Sequence, residues 1–327
     1  MQYEENGRII QGVGGLFEVA LDAGDTPLSG GRAFARAKGN FRHAGVTPLP
    51  GDRVRLQFDD TAFSKDENGE ACAVSDGGGA VVADILPRKN ALIRPPMANL
   101  DLLLITIAAA EPDPVPETVD KLIAIAEHND IEPVLLIGKC DLAPERAREL
   151  KEIYERAGFS VFLLSAKMGD GVDALREWLH REMIGKTAAF AGASGVGKST
   201  LLNALFPSLS LQTGDISRRI MRGKHTTRRV QLYPVAGLSE AYVADTPGFS
   251  MLDFVRFDFF DKEDLPYTMR EFVPYLLQCR YKKCTHTKEQ GCEVLAAVER
   301  GEIAGSRHES YCAMFDSLKN KHEWSKK

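Results

Sequence analysis

Nine consecutive residues, Gly192-Ala193-Ser194-Gly195-Val196-Gly197-Lys198-Ser199-Thr200, constrain this chain more than any other stretch. The apolar run Thr187-Ala188-Ala189-Phe190-Ala191 precedes them, and Leu201-Leu202-Asn203-Ala204-Leu205 follows with helical spacing of its apolar residues. The spacing Gly-x4-Gly-Lys-Ser at this joint predicts a strand, a glycine-rich loop and a helix. Glycines let the backbone curl until successive N–H groups point at a di- or triphosphate, and the helix adds its positive end. Lys198 is the residue that reaches the β- and γ-phosphates in such a loop, and the Ser199 hydroxyl is placed to hold Mg2+. A chain carrying this joint binds a nucleoside triphosphate.

Length and composition set the frame. At 327 residues there is room for two or three domains. A 44% hydrophobic and 27% charged composition is that of an ordinary globular protein. The start, Met1-Gln2-Tyr3-Glu4-Glu5, carries no basic or apolar region of the signal-peptide kind, and the apolar stretch 102–110 is about half the length that spans a bilayer. A cytoplasmic monomer without membrane contact is the expectation. The six cysteines are then reduced or metal-bound rather than paired. A net charge of −5 excludes a uniformly basic nucleic-acid binder and leaves only local patches for that role.

Residues 1–90 are glycine-punctuated and β-rich, with strands predicted over 15–21, 53–58 and 79–86. Strong helix patterning is missing, and Pro48, Pro50-Gly51-Asp52 and Asp76-Gly77-Gly78 mark turns, so a small closed barrel of the oligonucleotide-binding (OB) type is predicted. Arg32, Arg36, Lys38, Arg42 and His43, with Phe34 and Phe41 interleaved, read as lying between two of its strands. Two readings stand: phosphate contacts and base stacking with RNA, or a solvated basic loop whose phenylalanines belong to the core.

Residues 91–255 alternate buried strands and helices. Strands are predicted over 100–108, 134–137, 161–164 and 187–191, and helices over 116–129, 145–157 and 172–183. This predicts a mostly parallel sheet covered on both faces, with its ligand at the carboxyl ends of the strands. After the second strand comes Gly138-Lys139-Cys140-Asp141, and after the third Ser165-Ala166-Lys167. Together these resemble the Asn/Thr-Lys-x-Asp and Ser-Ala-Lys loops with which GTPases read guanine. Asp141 would accept from guanine N1–H and N2–H, a bidentate pair that adenine cannot offer, which excludes an ATPase or nucleotide kinase. The Lys139 stem would pack over the base, and the Ala166 N–H would donate to O6. Gly138 departs from the pattern and removes one side-chain hydrogen bond, which predicts weaker or slightly less selective guanine binding and no switch to ATP.

Downstream, residues 218–229 carry six Lys or Arg, no acid, and the pair Thr226-Thr227. A switch threonine completing the Mg2+ shell belongs here, and Thr226 and Thr227 are equal candidates. Asp245-Thr246-Pro247-Gly248 matches Asp-x-x-Gly: Asp245 would hold Mg2+ through water, and the Gly248 N–H would sense the γ-phosphate. Phe249 stands where many GTPases carry a water-orienting glutamine, so unaided hydrolysis should be slow. The base-reading loops precede the phosphate loop, the reverse of the usual order. A circular permutation keeps the site and makes the second switch run straight into the C-terminal segment.

Residues 256–327 gather Cys279, Cys284, His286 and Cys292 with the spacing Cys-x4-Cys-x-His-x5-Cys. That is a closed Cys3His set for one structural Zn2+. Arg280, Lys282 and Lys283 decorate this loop and could meet phosphates, and Met314, Phe315 and Leu318 suggest a final amphipathic helix.

A barrel, a permuted GTPase domain and this zinc spacing together resemble the RsgA (YjeQ) type of bacterial ribosome-associated GTPase across nearly the whole chain. The resemblance implies GTP and GDP as ligands, the small ribosomal subunit and its rRNA as partners, late subunit maturation as the role, and hydrolysis stimulated by the subunit. It also implies that His225, in Gly223-Lys224-His225-Thr226-Thr227, supplies the water positioning that Phe249 cannot. The competing expectation is an RNA-binding assembly factor that senses GTP without hydrolysing it.

Overall fold

The computed structural model describes residues 1–39, 41, 45–65, 71–206, 230–245 and 261–324. Five strands close the N-terminal barrel: β1 (Gln2–Val13), β2 (Leu16–Leu21), β3 (Arg32–Ala37), β4 (Arg53–Asp59) and, after the small pair β5 (Phe63–Lys65) and β6 (Ala71–Ala73), β7 (Ala80–Ile85). Their order is β1-β2-β3-β7-β4, and β4 pairs back onto β1 from Gln2↔Asp59 to Arg8↔Arg53, which removes both sheet edges. Ile9, Val19, Ala35, Val54, Leu56 and Val82 fill the interior.

Two features of the barrel differ from the sequence expectation. Residues 2–13 form a strand, although no strand is predicted before residue 15. Arg32 through Ala37 are themselves a strand rather than a connection, because they pair with β2 on one side and, in parallel, with β7 on the other. Ala33 and Ala35 point inward on β3, leaving Arg32, Phe34 and Arg36 on its outer face.

A short hairpin, β8 (Ala91–Leu92) and β9 (Met97–Ala98), leads into the second unit. There β10 (Leu102–Ala108), α1 (Pro116–His128), β11 (Glu132–Gly138), α2 (Pro144–Arg156), β12 (Ser160–Leu163), α3 (Val172–Glu182), β13 (Thr187–Ala191), α4 (Lys198–Leu205), β14 (Gln231–Pro234) and β15 (Tyr242–Asp245) follow in chain order. The sheet order is β12-β11-β10-β13-β15-β14, all parallel except the antiparallel edge strand β14. Every residue of β10 is buried, as a central parallel strand covered on both faces requires. Its residues divide by parity: Leu103, Ile105 and Ile107 pack on the α1 and α2 side, Leu102 and Leu104 on the α3 and α4 side.

The C-terminal unit holds α5 (Glu293–Glu299) and α6 (Gly305–Trp324) with two turns of 3-10 helix before them. It shares its core with the sheet unit. Leu265, Met269, Phe272, Val294, Tyr311, Met314 and Leu318 join Val119, Leu122, Ile123 and Ala126 in one continuous cluster. Met314 and Leu318 are buried and Phe315 packs at the margin of this core, although over its whole length the helix separates apolar from polar residues only weakly. The barrel joins the same cluster through Ile10 and is also tied by Arg8, whose Nη1 donates to Thr187 Oγ1 at 2.8 Å while its guanidinium lies 5.1 Å from the Tyr242 ring centre. Among the described residues no helix is long and apolar enough to cross a membrane.

Candidate functional site

The parallel strands β10, β11, β12, β13 and β15 all deliver their carboxyl ends to one edge of the sheet. The phosphate loop leaves β13 there, the two base-reading loops leave β11 and β12, and Asp245 closes β15. His225, Thr226, Thr227 and Gly248 lie outside the described residues, as do Phe249 and Arg42, and Asp245 is described through its backbone.

Between Ala191 and α4 the backbone turns through Gly192 at φ +133°, Gly195 at +80° and Gly197 at +100°, conformations that side chains resist. Val196 is buried and anchors the loop, whereas Ser194 and Gly195 form its exposed crest beyond the half-buried Ala193. Lys198 folds back over the loop, its Nζ donating to the Gly192 and Ala193 carbonyls at 2.8 and 2.6 Å. Burial lowers its pKa from the ordinary lysine value, so the ammonium is held poorly hydrated and has much to gain from a phosphate. Ser199 and Thr200 stand exposed on the first turn of α4, where the helix is positive.

The base-reading loops are tied to the phosphate loop through Lys139. This residue adopts a left-handed φ of +56°, and its Nζ donates to the carbonyl of Gly195 at 3.1 Å and to that of Glu111, on the loop after β10. One lysine thus links the loops after β10, β11 and β13. Asp141 is exposed two residues on. The Cys140 N–H donates to the Leu164 carbonyl, which sets the first base-reading loop against the second. In the second loop buried Ser165 accepts at Oγ from the Met168 N–H and bridges to Asp170, which leaves half-buried Ala166 and exposed Lys167 at the turn's outer side.

Gly138 has no steric reason to be glycine. A Cβ added there would meet the Val196 and Ile107 carbonyl oxygens at 3.6 and 3.8 Å, ordinary contact distances. An asparagine amide at this position would have the Val196 carbonyl within reach as an acceptor. Gly138→Asn is therefore expected to tighten guanine-nucleotide binding about 2- to 12-fold, the worth of one net hydrogen bond. Titration with a fluorescent guanine nucleotide checks this, and unchanged or weaker binding would show that the loops are already fixed without the side chain.

The second candidate site is in the C-terminal unit. The ligand atoms of Cys279, Cys284, His286 and Cys292 all lie within 4.8 Å of one another, with His286 and Cys292 buried. A tetrahedral Zn2+ at its usual bond lengths sets S–S edges of about 3.8 Å and S–N edges of about 3.5 Å. Here Cys279 Sγ and Cys292 Sγ are 3.9 Å apart, and each lies 3.5 Å from His286 Nδ1. The donor set fits the ion, and this group could hold one. Burial pushes the Cys284 thiol up to about 12 and raises that of Cys292, so these sulfurs carry little charge until a cation draws off their protons.

The basic residues divide by their partners. Arg32 is paired with Glu18 at 2.6 Å, Arg36 reaches the Asp76 carbonyl at 3.4 Å, and Lys38 donates to Gln57 at 2.9 Å. Phe41 packs against the barrel core, whereas Phe34 sits half-buried on the outer face between the two arginines. Arg280, Lys282 and Lys283 are exposed around the Cys3His loop. Sequence reasoning missed Glu111, Arg8 and the Arg307–Asp120 pair described below. Their partners lie far away in the chain, and no local pattern announces them.

The RsgA GTPase family model matches residues 85–255, and that of the RsgA N-terminal domain matches residues 6–64. A small ribosomal subunit biogenesis GTPase RsgA from Agathobacter rectalis is 37% identical over 97% of this chain and 99% of its own length. The protein of the same name from Enterococcus faecalis is 38% identical over 98% of each. Among solved structures, YjeQ from Thermotoga maritima superposes with a TM-score of 0.75 at 33% identity, covering 97% of this chain and 99% of that one. YloQ, described as a circularly permuted GTPase, gives 0.71 at 30% identity, covering 98% and 96%.

Proposed function

The chain belongs to the RsgA family of GTPases, and on that premise we propose that it hydrolyses GTP to GDP and phosphate during late maturation of the small ribosomal subunit, with turnover stimulated by the subunit. The observation that carries the reading is the Lys139 tie, which holds the loop over residues 138–141 against the loop over residues 192–198 at one edge of the sheet. Relatives that match almost end to end and carry the name small ribosomal subunit biogenesis GTPase support the partner.

In this reading Asp141 accepts from guanine N1–H and N2–H, Lys139 covers the base, and the Ala166 N–H donates to O6. The backbone of Gly192, Ala193, Ser194, Gly195, Val196 and Gly197 cradles the phosphates, and Lys198 gives up its loop carbonyls for phosphate oxygens. Mg2+ would be held by Ser199, Asp245 and one of Thr226 and Thr227, and supplies charge neutralisation at the β- and γ-phosphates. Gly248 senses the γ-phosphate. His225 orients the attacking water, a role that the phenyl ring of Phe249 has no polar atom to perform. One structural Zn2+ on Cys279, Cys284, His286 and Cys292 staples the C-terminal unit. The outer barrel face (Arg32, Arg36 and Lys38), Arg42 and the zinc loop (Arg280, Lys282 and Lys283) meet rRNA phosphates, and the protein acts as a cytoplasmic monomer.

The test is GTP turnover by the zinc-loaded protein with and without small ribosomal subunits. Slow turnover that rises by orders of magnitude on adding subunits is the expected result. Tight GTP binding with no stimulation would overturn the reading in favour of a GTP sensor, and equal binding of ATP would overturn the assigned base.

A further inference from the structure

The loop that carries the Cys3His set is held by a carboxylate that ligates nothing. Glu289 Oε1 accepts from the Thr285 N–H at 2.8 Å and from the Thr285 hydroxyl. Its Oε2 accepts from the N–H groups of Thr287 and Lys288, both at 3.1 Å, and its backbone carbonyl accepts from the Cys292 N–H at 3.2 Å. Thr285 stands between Cys284 and His286, so this one residue clasps the chain on both sides of the histidine and reaches a third ligand. The clasp also fixes His286 at φ +57°, a left-handed conformation that is uncommon outside glycine although histidine enters it more readily than most residues. Helix α6 braces the same turn from outside: Tyr311 donates its hydroxyl to the Thr285 carbonyl at 2.7 Å, and His308 Nε2 lies 2.8 Å from the His286 carbonyl oxygen.

We propose that Glu289 is the positioning residue of the metal site, fixing the 284–292 loop in its ligating shape before the ion arrives. Without the carboxylate, three backbone donors and one hydroxyl lose their common acceptor, and the His286 turn must be ordered at the expense of metal affinity. The inference rests on reading the four side chains as a zinc site, and the two can fail separately.

The experiment compares the full-length protein with Glu289→Gln, Thr285→Val and Thr285→Ser. Zn2+ transfer to a chromogenic chelator gives affinity, and the Co2+-substituted absorption spectrum reports ligand geometry. Glu289→Gln is expected to bind Zn2+ about 10-fold more weakly, the low end of what losing an outer-shell partner costs, because Glu289 holds the backbone beside the ligands and not a ligand side chain. At saturating Co2+ it should keep the tetrahedral spectrum of the parent, because all four ligands remain. Thr285→Val should weaken Zn2+ several-fold, and Thr285→Ser, which keeps the hydroxyl, should match the parent. If Glu289→Gln does not fold, the two Thr285 variants decide, and equal affinities in both would overturn the proposal. A Glu289→Gln protein with parental Zn2+ affinity but lower thermal stability would also overturn it, leaving a merely structural role. A parent that takes up no Zn2+ would instead sink the reading of the site itself.

Discussion

Arg307→Ala is expected to lower the free energy of unfolding by about 3–5 kcal/mol, because it strands two buried carboxylates. Arg307 is 1% exposed. From α6 its Nη1 donates to Asp120 Oδ1 at 2.5 Å, on α1 of the sheet unit, and its Nε and Nη2 donate to Glu271 at 2.7 and 3.2 Å. The Tyr154 hydroxyl donates to the same Asp120 oxygen at 3.1 Å, so the α1–α2 side of the sheet and the C-terminal unit meet at one guanidinium. Even with Arg307 present, burial raises the Asp120 pKa above the usual aspartate range. Removing the cation would raise it further. A carboxyl whose folded pKa exceeds its unfolded value binds more protons folded than unfolded, so the variant's stability should fall as pH rises between its unfolded and folded pKa values. Arg307→Lys should recover only part of the loss, since a point charge cannot serve two carboxylates with a fixed fork. Urea unfolding across pH checks this, and a loss below about 1 kcal/mol with no added pH dependence would mean that solvent or a neighbour replaces the guanidinium.

What could be read from the sequence follows from the distance over which each feature is encoded. The phosphate loop, both base-reading loops and the Cys3His set are contiguous patterns, and the helices over 116–128, 144–156 and 172–182 carry their own periodicity. β1 was not legible, because Gln2-Tyr3-Glu4-Glu5-Asn6-Gly7-Arg8 has few strand-forming residues and becomes a strand only between β2 and β4. The same holds for Arg32 to Ala37, whose alternation of arginine with alanine is too weakly hydrophobic to announce a barrel strand. Arg8 and Arg307 find partners 179 and 187 residues away. These charges look like surface in a local reading, yet they fix the barrel and the C-terminal unit to the sheet.

Gly192→Ala is expected to weaken nucleotide binding about 100-fold, the equivalent of about 3 kcal/mol, where Gly195→Ala in the same loop is tolerated far better. A Cβ at 192 would lie 2.2 Å from the Thr106 carbonyl oxygen and 3.2 Å from its carbon, at a φ of +133° that side chains rarely adopt. Thr106 belongs to β10, which is hydrogen-bonded to β11 and β13 on its two sides, so the strand cannot retreat. The loop must move instead. That shift takes the Gly192 carbonyl away from Lys198 and turns the cradle of N–H groups off the phosphates. Backbone strain and steric conflict together should cost about 2–4 kcal/mol of stability. At Gly195 a Cβ meets no protein atom within 4 Å, so the cost to stability is only the left-handed penalty of about 1–2 kcal/mol. The pair thus separates steric conflict from backbone conformation. GTP affinity and denaturant unfolding measured on both variants decide the matter, and a Gly192→Ala protein that binds no worse than Gly195→Ala would show that β10 yields and that the close approach is not what shapes the phosphate loop.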